Sequence, residues 1–599
     1  MTSYAPANER APSSRSIVPA SSVNEKILST PTAGTDPFMD YRIQDVGNIR
    51  AYITNYGIIG AIVDPQFASV TSLREYPKGS RHLYPSPLVA IGGFVGMDTL
   101  VTRGLEFAPL PREEQIVHGD TFTVRSITDN VFPNPAHSEQ DISCMYYDTI
   151  SSIRLRQFDN VDKREHRPLG LEVHLTSYAW SLTYADDFIL FDYKIINVSN
   201  KIVKSCYMGI ENAGFVGSLR VDPDVEGDDI SGYIPTATMS DPKDSTCTFS
   251  APLNLAWKAD NNGNPNPLSH QFDDLSPRAV MGTRILRPAT AFNKFSFNWW
   301  DGFRANGRDF SPRRAGTSTR PFHDFAGGNM GEPLGDRDLY YVMSSGEVDY
   351  SQLFTAKDHT GGGWLPPPPG ANRIAGGGNV ETLLSIGPFD LKPGESIPFT
   401  FAWVGGENFH TSPTNYEDNW DPYNPQPFID NLDFSELIKN ATWAGWVYDN
   451  PGFDTDGDGY KGRFHVCVTD SRAVTDTSFV VNNNANPPET TFVVDTLTFV
   501  TNADTIYYTG DGVPDFRAAA PPPAPQPRIN PSFGKLEILW NGLQSETTPD
   551  IFTHELDFEG YRVYLGLTPR RSDMSLLSSF DLEDYNLFLS NVFGARTRG

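Results

Sequence analysis

The sequence predicts a mainly β, multidomain chain of β-sandwiches with long loops, and three observations carry that expectation. At 599 residues the chain exceeds what one apolar core can serve, so several domains are expected. Glycine (50) and proline (48) are abundant, and aromatic residues reach 12% against 20% charged, a balance that favours short strands and turns over long charged helices. Apolar side chains also alternate with polar ones over short runs, the period of a strand that buries one face.

Residues 1–35, rich in Ser, Pro, Ala and Thr without hydrophobic period, are expected to form a disordered tail or extended arm. From 36 to 110, runs such as 49–63 and 88–97 alternate with Gly and Pro turns and predict an N-terminal β layer. A large sandwich with loop insertions is expected over 111–410. Its clearest strand lies in 186–200, where Ile189, Phe191, Tyr193 and Ile195 share one face and Asp192 and Lys194 the other. The run 201–210 has the length to pair back against it. Two apolar runs within 383–406 are separated by Lys392, Pro393, Gly394 and Glu395, a turn of the kind that joins sandwich strands. The intervening 211–380, rich in Gly, Pro, Asn and Asp, reads as long loops decorating that sandwich.

A helical connector is expected at 411–452. Asp433 can cap a helix, Glu436 stands three residues on, and Leu437, Ile438, Ala441, Ala444 and Tyr448 follow at helical spacing before the stop at Pro451 and Gly452. Trp443 and Trp446 are expected to pack on a neighbouring sheet. An acidic module follows at 453–516. There Asp454, Asp456 and Asp458 stand at alternate positions, Gly459 permits a sharp turn and Tyr460 offers a backbone carbonyl, the hard-oxygen spacing that suits calcium. Three aspartates so placed repel one another without a cation, which favours the metal over a solvated Asp-Gly turn. His465 stands where an EF-hand loop supplies a bidentate Glu, so the shell needs a further ligand, and Asp511 or Asp515 is the expected source. The run 260–266, with one carboxylate, reads as a loop.

A proline-rich linker over 517–530 precedes a last module at 531–599. In that module Leu536, Ile538 and Trp540, then Tyr561 and Val563, alternate with polar neighbours like early strands of an immunoglobulin or fibronectin III-like sandwich. Its length falls short of the roughly 100 residues such a sandwich uses. The expectation is an incomplete module, either continued beyond Gly599 or completed by a strand from a neighbouring molecule. Cys144, Cys206, Cys247 and Cys467 show no CxxC spacing and are buried thiols or the makings of two disulfides. The net charge of -27, from 47 basic and 74 acidic side chains, repels phosphate backbones and argues against a nucleic-acid partner. No stretch has the length of a membrane span, and no signal peptide is visible.

Six pieces taken together resemble a group of large, mostly uncharacterised secreted bacterial proteins often associated with type IX secretion. They are YPKGSRHLY (76–84), YADDFILFDYKIIN (184–197), GDRDLYYVMSSGEVDY (335–350), WAGWVYDNPGFDTDGDGY (443–460), GDGVPDFRAAAPPPAP (510–525) and DFEGYRVYLG (557–566). The resemblance implies an extracellular β-sandwich scaffold with a fibronectin-like tail, and it brings no reaction with it. The chain departs from the group in showing no signal peptide and no C-terminal sorting domain.

There is no GxSxG elbow, HExxH, phosphate-binding loop or dinucleotide fingerprint, and on that ground the expectation is that the chain is not an enzyme. His118, His137, His166 and His174 read as structural or surface residues. Trp299, Trp300 and Trp364 either stack on sugar rings or, the favoured reading, pack in core and loops. The expected function is a secreted or cell-surface structural protein, calcium-stabilised, associating with itself or with other surface proteins as a surface layer, filament or adhesin. The alternative is a carbohydrate-binding protein or glycan-acting hydrolase, which requires an aromatic-lined cleft and, for hydrolysis, a facing pair of carboxylates.

Overall fold

A computed structural model describes residues 37–581, apart from 65–68, parts of 111–134, 151–154, 219–226, 242–244, 288–293, 303–308, parts of 318–330, 519–524, parts of 549–557, and 567–573. The expected tail at 1–35 lies outside the described residues. The chain opens with five small strands, β1 (Tyr41–Gln44), β2 (Arg50–Thr54), β3 (Ala61–Asp64), β4 (Ser69–Ser72) and β5 (Arg74–Glu75). They form a three-stranded sheet in the order β1-β2-β5 and a β3-β4 pair.

The next strands are β6 (Ser86–Val95), β7 (Asp98–Arg103), β8 (Ala108–Pro109), β9 (Phe122–Arg125), β10 (Gln140–Tyr147), β11 (Leu171–Ala179) and β12 (Phe188–Asn197). They continue with β13 (Val203–Ala213), β14 (Asp229–Ser240), β15 (Thr248–Asp260), β16 (Val280–Arg287), β17 (Lys294–Asp301), β18 (Val380–Leu391) and β19 (Ser396–Gly406). Together they build an antiparallel sandwich. One sheet has the order β17-β18-β13-β6-β7; the other runs β14-β15-β16-β19-β12-β11-β10-β8, with β9 also on β10. Period-two alternation explains the core between them. Ile189, Phe191, Tyr193 and Ile195 of β12 are buried in one cluster with Phe399, Phe401 and Trp403 of β19, and Cys206, Met208 and Ile210 of β13 join them from the other sheet. Each such side chain contributes roughly 1.5–3 kcal/mol by leaving water.

Three expectations are corrected. β12 and β13 do not pair: β12 lies between β11 and β19, while β13 lies between β18 and β6. The link between them crosses from sheet to sheet, held by Asn197, whose Nδ2 donates to Lys201 O (2.7 Å) and Leu391 O (2.8 Å). An apolar face of period two is satisfied equally by a lateral neighbour or by the facing sheet, so the pattern alone does not choose. The stretch 211–380 is not loops alone, since between its loops it supplies β14 to β16 to one sheet and β17 to the other. The segment 36–110 is likewise no separate layer, because β6 and β7 belong to the five-stranded sheet. The turn at 392–395 does carry β18 across to β19, as its Pro-Gly sequence predicts.

Helix α1 (Asp336–Met343) covers the outer face of the five-stranded sheet, where Leu339, Tyr340, Val342 and Met343 pack with Ala90, Val101, Tyr207 and Leu383. Helix α2 (Ser435–Tyr448) packs chiefly on β19 through Leu437, Ala441, Ala444 and Val447, all fully buried. Asp433 Oδ1 accepts the Ser435 backbone N–H at 2.8 Å just ahead of the helix. Asn440 ties α2 to the sheet, donating to Asp187 Oδ2 (3.2 Å) and Gly405 O (3.0 Å). Trp443 and Trp446 meet each other edge to face at 5.0 Å and are half-buried, and Trp443 also packs on Tyr184 at 4.8 Å, in the turn that leads into β12. The expected connector is thus a packed element of the sandwich.

After α2 the chain forms a long antiparallel ribbon, β20 (Phe464–Asn482) with β21 (Glu489–Tyr507). A Cys247–Cys467 disulfide ties its base to the start of β15, while Cys144 and Cys206 are buried thiols. The chain divides into two compact units after Phe516, so 453–516 belongs with the sandwich and is not a module of its own. In the second unit β22 (Gln526–Ser532) pairs with β23 (Lys535–Asn541), and β24 (Gly560–Gly566) with β25 (Met574–Asp581). β22 therefore begins inside the expected linker. Trp540 packs against Tyr561 (5.3 Å) and Phe580 (5.5 Å). Among the described residues, no helix is long and apolar enough to cross a membrane.

Candidate functional site

The outer face of the five-stranded sheet carries one candidate site at each end of α1. At the C-terminal end lies a cleft of about 640 Å³, lined by Phe94, Tyr207, Phe322, His323, Tyr340 and Tyr341 with Lys294, Ser205 and Ser344 at its polar positions. Tyr207 and Phe94 rise from neighbouring strands, and Tyr340 descends from the helix to meet both, at 5.9 Å and 4.8 Å between ring centres. Gly92 makes room for that ring, because a Cβ there would stand 3.1 Å from Tyr340 Cδ2. The Tyr340 hydroxyl donates to Ser205 O (2.7 Å), which fixes the ring, and burial raises the phenol pKa and keeps it protonated. On the open side His323 stacks on Tyr341 at 4.7 Å and is held by Asp338 (Nε2 to Oδ1, 2.8 Å). Phe322 is 41% exposed. Aromatic faces with an ammonium and hydroxyl groups at the rim suit a ligand that is apolar on its flat sides and polar at its edges.

At the N-terminal end of α1 the sheet register assembles a buried charged group. Trp300 stands opposite Glu381 across β17 and β18, and its indole N–H donates to Glu381 Oε2 (2.9 Å). Glu211 pairs with Leu383, two residues on from Glu381, so both glutamates project from the same face as diagonal neighbours. Arg103 reaches across the strand carrying the small Ala90 and donates to Glu211 at 2.6 Å. Burial pushes the Glu381 carboxyl well above the usual carboxylate range; Glu211 and Glu332 push the same way, against Arg103 and Lys258. Beside them a water-sized pocket of about 40 Å³ is lined by Arg103, Glu106, Asp159 and Asp336, and burial raises Asp336 to about 6. Two carboxylates in different environments at one place are the raw material of acid–base work. The sequence reading missed both glutamates; their one signal is a carboxylate inside an otherwise apolar run.

The acidic loop follows α2. Asp454, Asp456 and Asp458 each bring a carboxylate oxygen within 4.8 Å of the others. Gly457 (φ +78) and Gly459 (φ +92) take the left-handed conformation that closes the turn. Gly459 N–H donates to Asp454 Oδ2 (2.9 Å), and Tyr460 N–H donates to Asp458 Oδ1 (2.7 Å) while its side chain stands exposed. Asp454 Oδ1 is buried and accepts no hydrogen bond. Asp511 and Asp515 reach the loop but bind its backbone and threonine: Asp511 accepts the Thr455 N–H, and Asp515 accepts Thr455 Oγ1–H (3.0 Å) and Asn450 N–H (2.9 Å). They form a second acidic group with Asp449, which burial pushes up to about 7 with help from those two carboxylates. His465 turns away and stacks on Phe249 at 4.5 Å.

The remaining sequence candidates are structural where described. Asp260 accepts from Asn262, Gly263 and Asn264, which makes 260–266 a self-bonded loop. Trp299 and Trp300 are buried, and Trp364 lies under Arg314 at 4.2 Å. His137 packs on Tyr178, His166 lies 3.6 Å from Glu106, and His174 binds Glu172 at 2.6 Å. His118 lies outside the described residues.

No family model and no curated protein matches the chain. Solved structures do. A protein of Escherichia coli K12 assigned as an aldose 1-epimerase is 10% identical over 62% of this chain and 99% of its own, with a TM-score of 0.21. A polysaccharide lyase is 8% identical over 80% of this chain and 46% of its own, with a TM-score of 0.23. The Slr1438 protein of Synechocystis sp. PCC 6803 is 9% identical over 63% of this chain and all of its own, with a TM-score of 0.22. The expectation that the chain is not an enzyme is corrected here, because two of these proteins are by name enzymes. Likenesses at this level transfer no reaction to the chain.

Proposed function

We propose that the chain is a carbohydrate-directed protein of an exterior compartment that takes a glycan in the aromatic cleft beside α1. One observation carries the reading: a cleft of about 640 Å³ whose walls are aromatic rings and whose rim holds Lys294, Ser205 and Ser344. Sugar rings present C–H faces to aromatic side chains and hydroxyls to polar ones, and the cleft offers both. The disulfide between Cys247 and Cys467 supports an oxidising location. The structural role expected from the sequence finds no such support in the comparisons. Calcium belongs to the proposal as a brace: Asp454, Asp456 and Asp458 would hold it, and the buried unbonded Asp454 Oδ1 favours a cation there.

Turnover of the bound glycan is a second reading, favoured by the Glu211 and Glu381 pair. Glu211 lies about 13 Å along its strand from Tyr207, on the same face of the sheet. The test is a glycan array followed by calorimetry on any hit. Tyr341→Ala and Phe322→Ala are expected to weaken binding about tenfold or more. Failure of every glycan to bind, or equal binding by both variants, overturns the proposal. If the hit is cleaved, Glu381→Gln is expected to abolish cleavage while binding persists.

A further inference from the structure

The β20–β21 ribbon is the largest piece of the first unit whose sheet stops at two strands. Two-stranded hairpins are marginal alone in water, and this one runs for 19 residues in each strand with large apolar side chains in solvent, Phe479 at 66%, Phe492 at 68% and Val494 at 61% exposed. The register past its bulge sorts the side chains into two unlike faces. One face, from Ser471 to Val481 on β20 and Thr490 to Val500 on β21, carries no charged side chain and is built from β-branched, aromatic and small residues. The other sets Asp476 directly opposite Asp495 and adds Arg472.

We infer that the uncharged face is a homodimer interface, occupied by the same face of a second copy around a two-fold axis. Charge argues for this occupant. With a net charge of -27, two copies repel each other over most of their surface, whereas this strip meets its own image without a like-charge contact. The opposed Asp476 and Asp495 make the other face a poor self-partner. Area is sufficient. At roughly 50 Å² of accessible surface per side chain the strip offers about 600 Å² per copy, so a pair buries about 1,200 Å², the lower bound for stable specific interfaces. Stacked at about 10 Å, the two ribbons would make a small sandwich of their own. The inference is independent of the glycan reading.

The test is sedimentation of the full chain over the micromolar range, alone and with Phe479→Lys or Val480→Lys, which lie on opposite faces. The wild-type chain is expected to dimerise, Phe479→Lys to weaken association about tenfold or more, and Val480→Lys to leave it unchanged. Both positions are exposed, so thermal midpoints should match at concentrations too low for association, and a difference in sedimentation then reads on assembly. A wild-type monomer throughout overturns the inference. So does a Phe479→Lys variant that dimerises as tightly as the wild type, and so does equal weakening by both lysines, which would point to edge pairing.

Discussion

Lys258 places an ammonium group inside the sandwich, 3.0 Å from Asp229 Oδ2, with both side chains 1% exposed or less. Its remaining protons go to Gly214 O and Val380 O, so the pair is held by hydrogen bonds on every side. Taking one partner away leaves a buried charge without compensation, which costs about 3–5 kcal/mol, whereas replacing both removes charge and penalty together. Lys258→Met is therefore expected to lose about that much stability in urea unfolding, and Lys258→Met with Asp229→Asn to recover most of it; equal loss in both would refute the account. Glu381 titrates in the opposite sense to a salt-bridged carboxylate. Its raised folded-state pKa means the native chain keeps a proton that the unfolded chain releases above about pH 4.3, so its share of stability is complete below that value and is lost as pH rises through the folded value. Glu381→Gln keeps a neutral acceptor for the Trp300 indole and removes that dependence. Urea midpoints at about pH 5 and about pH 8 should show the variant gaining on the wild type as pH rises.

At the scale of elements, strands announce themselves and their neighbours do not. The alternation of Ile189 to Ile195 placed β12, and the Pro-Gly turn at 393–394 placed the crossing from β18 to β19, because both depend on local chemistry. The partnership of β12 with β11 joins sequence neighbours, but its other partner in the same sheet, β19, lies about 200 residues away in sequence, and nothing local encodes that pairing. For the same reason β14 to β17 were hidden among turn residues. At the site, the alternate aspartates were legible from spacing alone, while the cleft was not, since Phe94, Tyr207 and Tyr340 come from three separate elements. The disulfide shows what one long-range link does to an element. It closes a loop of 220 residues, for which the chain-entropy account gives up to roughly 5 kcal/mol, and it holds the base of the ribbon whose outer part has no other tie among the described residues. Cys467→Ser is expected to leave the sandwich folded but to speed hydrogen exchange through Phe464 to Val468; unchanged protection there would show that the loop contacts alone hold the base.

At the scale of the molecule, the acidic loop sits where three parts of the first unit meet. It leaves the end of α2 and receives Asp511 and Asp515 from the segment that returns at the base of the ribbon, and that segment ends in Phe516, which packs on Tyr178 of the large sheet and on Tyr448 of α2. A cation held by Asp454, Asp456 and Asp458 would lock that junction, since binding to the native state alone stabilises by about 2.7 kcal/mol when ligand stands at a hundred times its dissociation constant. The thermal midpoint of the first unit is thus expected to climb with the logarithm of calcium concentration. Magnesium should do less, because it demands a near-octahedral shell at shorter distances than three flexible carboxylates and a turn readily supply. Asp456→Asn with Asp458→Asn should flatten the calcium dependence, and Asp430→Asn, an exposed carboxylate ahead of α2, should not. Calorimetric scans in calcium and in chelator decide the matter: identical midpoints for the wild-type chain would remove the metal from the loop and leave its aspartates to repel one another in solvent.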